Sequence, residues 1–196
     1  MSLMPPKASG RSDIFQTPSW PVEAILEYIP LNWTIWEPAC GEGQIVNTMQ
    51  KKGFNTIGTD ILRGFDFLAP MATCEFGYNC IITNPPYSTK TQWLDICYET
   101  GKPFALLLPI TALGEQARFK LYKKYGLNIL LLPERVHFGT PSGEGSGSWF
   151  ATAWFCHGID LPSDIHCSDI VVPEKEKEPV EQERCQKTDD MFGDGE

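Results

Sequence analysis

The run Asn84-Pro85-Pro86-Tyr87 combines an amide oxygen, a backbone carbonyl and an aromatic ring within four residues. Such a set suits a planar molecule carrying an exocyclic amine. The oxygens of Asn84 and Pro85 accept one amino hydrogen each, and Tyr87 offers a stacking face. A second set lies upstream, where Glu37-Pro38-Ala39-Cys40-Gly41-Glu42-Gly43 places an acid four residues before a Gly-x-Gly pair. A glycine turn opening a helix receives a polar or anionic group, and an acid beside it meets an amino group. A zwitterionic ligand therefore suits it at least as well as a pyrophosphate, with a tight structural turn as the plainer alternative. Asp60 follows Gly43 by 17 residues, close to the interval of about 20 at which an acid grips a ribose. Asp66, between Phe65 and Phe67, either hydrogen-bonds a ring amine beside a stacked aromatic or is an exposed acid next to the core.

Rigid elements must stand behind these groups. Cys80-Ile81-Ile82 is a short apolar run ended by two prolines, so it predicts a buried strand presenting Asn84 at its carboxyl end. Thr34–Trp36 predicts a strand entering the glycine turn, and Ile45, Val46 and Met49 a helix closing at Gly53. Asn55–Thr59 predicts a strand ending at Asp60. Before these, Ser19 is placed to cap a helix with Pro21 in its first turn. Val22, Ile25, Leu26 and Ile29 line one face of it, and Pro30 ends it. After them come a helix over Thr91–Thr100 with Trp93, Leu94 and Cys97 inward, an apolar strand Phe104–Leu108, and a helix over 112–125 closed by Gly126. A strand Leu127–Leu132 and an aromatic antiparallel strand Trp149–Cys156 complete a fold that finishes near residue 160. The pattern predicts an α/β, Rossmann-like architecture: a mostly parallel central sheet with one antiparallel strand and helices on both faces.

A length of 196 residues with 42% hydrophobic and 12% aromatic content predicts one folded domain, over 13–172. Residues 1–12 and the acidic segment 173–196 read as disordered. No apolar run nears the roughly 20 residues of a membrane span. Seven cysteines without a CxxC pair suit reduced thiols, hence a cytoplasmic or nucleoid-associated protein. Cys156-His157 and His166-Cys167 match no zinc spacing, so no metal is expected, and Cys40 has no evident base and reads as a packing residue. The net charge of −9 is uneven, since residues 174–196 hold nine acids and four bases. Arg118, Lys120, Lys123 and Lys124 form a candidate basic patch, joined by Lys51 and Lys52. The charge neither requires nor excludes nucleic acid and predicts weak, salt-sensitive phosphate binding. Residues 139–148 carry four glycines and read as a connector or a ligand-ordered lid.

Taken in order, Phe15-x-Thr17-Pro18, the Glu37-to-Gly43 turn and Asn84-Pro85-Pro86-Tyr87 resemble the S-adenosylmethionine-dependent adenine-N6 DNA methyltransferases. The motifs stand in that family's gamma-type arrangement, over roughly residues 13–156. The resemblance implies a cofactor site in which Phe15 and Thr17 close over the methionine end of S-adenosylmethionine. Glu37, Ala39, Gly41 and Gly43 would hold its amino and carboxylate groups, Asp60 with Ile61 its ribose, and Asp66 and Phe67 its adenine. It implies that Asn84, Pro85, Pro86 and Tyr87 form the catalytic loop, with Tyr87 and Phe138 stacking on the target base. The implied partner is nucleic acid, DNA ahead of RNA, with the oligomeric state open. The sequence shows no separate target-recognition domain, so site choice is expected from residues 88–92 and 139–148, from a dimer, or to be low. Two other readings stand beside this one: N5-glutamine methylation of a protein, whose family carries a helical domain ahead of this fold, and a non-catalytic cofactor-binding regulator.

Overall fold

The computed structural model describes residues 16–70, 72–74, 76–139 and 150–174. Phe15, the glycine-rich loop beyond Gly139, residues 1–12 and the tail from 175 onward lie outside the described residues. Seven strands form one sheet: β1 (Thr34–Glu37), β2 (Asn55–Gly58), β3 (Cys80–Thr83), β4 (Phe104–Pro109), β5 (Asn128–Leu131), β6 (Thr152–His157) and β7 (Ile165–Cys167). Their spatial order is β2-β1-β3-β4-β6-β5-β7. The pairs β2/β1, β1/β3, β3/β4 and β5/β7 are parallel, and only β6 runs against its two neighbours β4 and β5. This is the mostly parallel sheet with one antiparallel strand that the sequence predicts.

Alternating side chains divide the core between the two faces, because successive residues of a strand point opposite ways. Ile35, Ile82, Ala105, Leu107, Trp154 and Cys156 pack on one face with α1 (Ser19–Leu26) and α2 (Gln44–Lys51). Trp36, Ile81, Leu106, Leu108, Ala153 and Phe155 pack on the other with α3 (Lys90–Glu99) and are joined there by Ala112, which precedes α4 (Gln116–Tyr125). All six residues of β4 are buried, as a strand covered on both faces requires. The Trp154 indole donates to the Pro21 carbonyl at 2.7 Å, which pins α1 to the middle of the sheet. Gly58 is a close-approach site, where an added Cβ would come within 3.0 Å of Val46 Cγ2 on α2.

Several local expectations are corrected. Pro18, not Ser19, occupies the N-cap of α1, and the helix ends at Leu26, before Ile29. The span 112–125 is not one helix. A 3-10 turn, Ile110–Gly114, comes first, and α4 begins only at Gln116. The fold does not finish near residue 160, since β7 adds a parallel edge strand to β5 and Val172 is buried beyond it. Short and mostly exposed, β7 lacks the apolar alternation by which a strand is read from sequence.

Arg118 does not belong to a surface basic patch. It is 4% exposed, donates from Nε to the Ala112 carbonyl at 2.6 Å and from Nη1 to Thr91 Oγ1 at 2.8 Å, and pairs with Glu115. Its fork ties the 3-10 turn after β4 to the start of α3 and α4. The lysines near it are displaced from the sheet's carboxyl end. Because β5 runs parallel to β4, α4 must return along the sheet, so Lys123 and Lys124 in its last turn lie toward the amino end. Replacing a buried cation that bonds three partners removes charge-assisted hydrogen bonds worth about 2 kcal/mol or more. Arg118→Met is therefore expected to lower unfolding free energy in urea by about that amount while leaving nucleic-acid affinity of the folded protein unchanged. Unaltered stability with weakened binding would restore Arg118 to the surface.

Candidate active site

The chain leaves β1 for β2 on one side, while β3 pairs with β1 on the other. In open α/β sheets, ligands sit outside the carboxyl ends of the strands at such a reversal. Both sequence motifs are found there: β1 delivers the Glu37-to-Gly43 turn and β3 delivers Asn84-to-Tyr87.

The turn closes tightly, Gly43 N donating to the Cys40 carbonyl at 2.7 Å. Gly41 and Gly43 adopt φ values of 48° and 92°, a region that favours glycine. Asp60 braces the turn from the end of β2. One carboxylate oxygen accepts from Gly41 N and the other from Leu62 N, both at 2.8 Å. Arg63 Nη2 donates to the Gly41 carbonyl at 2.9 Å. Since Gly41 and Gly43 spend their own amides inside this network, what the turn presents outward is the start of α2, which has no side-chain cap.

Glu37 is fully buried. Its Oε1 accepts from Thr83 Oγ1 at 2.5 Å and from Ala39 N at 3.1 Å, whereas Oε2 has no partner among the described residues. Burial pushes its pKa up to about 8, against the pull of the Thr83 and Ala39 bonds and with the nearby Asp60 carboxylate adding to the rise. At neutral pH Glu37 is therefore mainly a neutral acid, and a cation at Oε2 would shift it toward the carboxylate.

Asn84 donates from Nδ2 to Thr17 Oγ1 at 3.1 Å, and its amide oxygen is buried without a partner among the described residues. Gln16, Thr17, Ala39, Gly41 and Asn84 line one narrow cleft, so the structure brings Asn84, the glycine turn and the Gln16-Thr17 segment together. Pro86 caps the 3-10 turn Tyr87–Thr89, Lys90 Nζ donates to the Tyr87 carbonyl at 2.9 Å, and the Tyr87 ring meets Phe150 edge-on at 5.7 Å.

Beside the turn, Ile61 and Leu62 are 62% and 77% exposed. Asp66 is exposed and accepts from Leu68 N at 2.9 Å. Two aromatic assignments are corrected. Phe67 is 2% exposed and stacks on Trp93 at 4.2 Å, so it has no open face for an adenine. Phe138 is 3% exposed within the core and does not offer its ring to a target base.

Four participants escape the sequence reading. Thr83 carried a signal, a hydroxyl closing an apolar strand whose burial demands a partner. Gln16 is the unspecified position of Phe15-x-Thr17-Pro18, and Phe150 lies within the predicted strand Trp149–Cys156 without a role of its own. Arg63 had no signal. Cys40 is buried, its thiol pKa raised chiefly by that burial, in keeping with a packing role. No three metal-ligating side chains converge among the described residues. No helix among them is long and apolar enough to cross a membrane.

The fold recurs in solved structures. A modification subunit of a putative type I restriction enzyme from Vibrio vulnificus YJ016 superposes with a TM-score of 0.50 at 18% identity, over 85% of this chain and 49% of that one. The M protein of the type I restriction enzyme EcoKI gives 0.54 at 13% identity, over 74% and 44% of the two chains. The type IIG restriction endonuclease BpuSI gives 0.52 at 18%, over 77% and 26%. The chain thus spans about half the length of these structures or less, and the likeness is one of fold: the Rossmann-like architecture described above. No protein-family model matches the chain, and no curated protein matches it in sequence.

Glu37 yields a stability prediction whose sign follows from its raised pKa. The folded state favours the protonated acid, so this group's contribution is full below the unfolded value of 4.5 and is lost as pH climbs toward about 8. Glu37→Gln keeps the acceptor and removes the charge. Its stability relative to the parent is expected to be level near pH 4 and to grow with pH, reaching on the order of 3 kcal/mol at pH 7. Urea unfolding across pH checks this, and parallel stability curves for the two proteins would contradict a buried neutral acid.

Proposed function

We propose that the chain transfers a methyl group from S-adenosylmethionine to the exocyclic N6 amine of adenine in nucleic acid, with DNA ahead of RNA. The single observation that carries this reading is the buried, unpartnered amide oxygen of Asn84 on the same cleft as the glycine turn. A hydrogen-bond acceptor left unmade in a folded protein costs about 1–3 kcal/mol, and a substrate amine would relieve it. The fold's occurrence in modification subunits of restriction enzymes lends support.

The residues present fit the cofactor. The orphaned Oε2 of Glu37 is an acceptor for an amino group, the uncapped start of α2 favours a carboxylate, and the exposed apolar pair Ile61 and Leu62 beside Asp60 suits a nucleoside. When bound, S-adenosylmethionine supplies an electrophilic methyl group on a sulfonium.

Everything else falls to the chain's own groups. An adenine amine is a poor nucleophile because its lone pair is delocalised into the ring. Asn84 Oδ1 accepts one amino hydrogen and the Pro85 carbonyl the other, which favours a pyramidal nitrogen and holds positive charge as it develops there. Positioning provides most of the rate, since an amide is no base and the amino proton departs after transfer. Extruding the base from a duplex costs a few kcal/mol, offset in part by the Tyr87 ring, which Phe150 steadies from its edge. Phosphate contacts would come from elements at the carboxyl end of the sheet, because Lys123 and Lys124 lie away from it.

Two variants separate binding from chemistry. Asn84→Ala should leave cofactor affinity nearly intact while lowering transfer by about 100-fold or more. Asp60→Ala, which loosens the glycine turn, should chiefly weaken cofactor binding. Calorimetry with S-adenosylmethionine and a methyl-transfer assay on both proteins test the assignment, and an equal loss of cofactor affinity in the two would refute it.

A further inference from the structure

The amide of Asn84 has two ends of similar shape and opposite polarity. Turned one way it presents an acceptor to the substrate amine. Turned the other way it presents NH2, a donor against a donor. The nitrogen end donates to Thr17 Oγ1, 67 residues away in sequence, at 3.1 Å, a contact that anchors the side chain at its inner end.

We infer that Thr17 is a positioning residue, whose hydroxyl accepts from the amide nitrogen of Asn84 and so anchors that side chain in place against the substrate amine. This rests on the proposed methyl transfer and assigns to Thr17 a task at the target side of the cleft, where the family resemblance gives it only the cofactor side.

Three features hold Thr17 in place. It is 4% exposed, so its hydroxyl has little freedom to turn to water. On one side Gln16 exchanges both backbone hydrogen bonds with Gly139, each at 2.9 Å. A side chain at Gly139 would bring its Cβ within 3.3 Å of Gln16 Cβ, so glycine is what lets the two segments approach. On the other side Pro18 caps α1, which the Trp154 indole locks to the sheet. The oxygen of Thr17 is thus delivered by fixed backbone, and Asn84 is anchored by a residue outside its own loop.

The test uses the full chain. Thr17→Val keeps the shape and deletes the hydroxyl. At saturating substrate its methyl-transfer kcat should fall by about 10- to 100-fold, with S-adenosylmethionine affinity by calorimetry changed by less than about threefold. Thr17→Ser should restore most of the rate. A cofactor affinity that falls in step with kcat, or a Thr17→Val rate equal to the parent's, overturns the inference. A readout independent of activity is the Asn84 side-chain amide in 15N NMR, assigned by its disappearance in Asn84→Asp. Its protons should be slowed in solvent exchange in the parent and in Thr17→Ser and released in Thr17→Val. If the parent transfers no methyl to nucleic acid, the functional reading fails. The anchoring contact is then judged by that resonance alone, and an amide unchanged in Thr17→Val refutes it.

Discussion

The parallel pairing of β1 with β3 is the constraint on which the site depends. Parallel neighbours end at the same edge of a sheet, about 4.8 Å apart, so whatever follows one strand must face whatever follows the other. Here Glu37 closes one and Thr83 the other, and their side chains meet at 2.5 Å in a fully buried bond. Two polar groups have been set into strands that are otherwise apolar. Burying them costs free energy that one shared hydrogen bond only partly offsets, and packing alone would be better served by aliphatic residues. The bond makes the glycine turn and the Asn84 loop a single rigid body.

Around that joint, Glu37 Oε2 and Asn84 Oδ1 are among the buried acceptors left unmet by the described residues. One belongs to the turn and the other to the loop. Asp60 acts at one remove. By occupying both its oxygens with Gly41 and Leu62 amides, it sets the shape of the turn and exposes the apolar residues beside it. Aromatic residues divide likewise by role. Trp36, Phe67 and Trp93 form an interior cluster under the turn, and Tyr87 with Phe150 stands at the loop.

The sequence disclosed every strand but β7, and the two motifs, because those signals are local. Cys80-Ile81-Ile82 followed by two prolines, and glycines whose positive φ only a turn requires, can be read without knowing the neighbours. The aromatic assignments failed because they are not local. Phe67 and Phe138 occupy the motif positions, but whether a ring faces a ligand or the core depends on which side of the sheet its backbone approaches. The basic patch failed for the same reason. Arg118 shares a helix with Lys123, yet its guanidinium points inward to the Ala112 carbonyl and Thr91. The Thr17–Asn84 contact joins residues 67 apart in sequence, and no spacing rule announces it.

The most direct measurement is mass-spectrometric nucleoside analysis of DNA and RNA incubated with the protein and S-adenosylmethionine bearing a deuterated methyl group. The account predicts labelled N6-methyladenosine or its deoxy form, absent when Asn84 is alanine. Label on no base in either polymer, or on a protein glutamine instead, would contradict it.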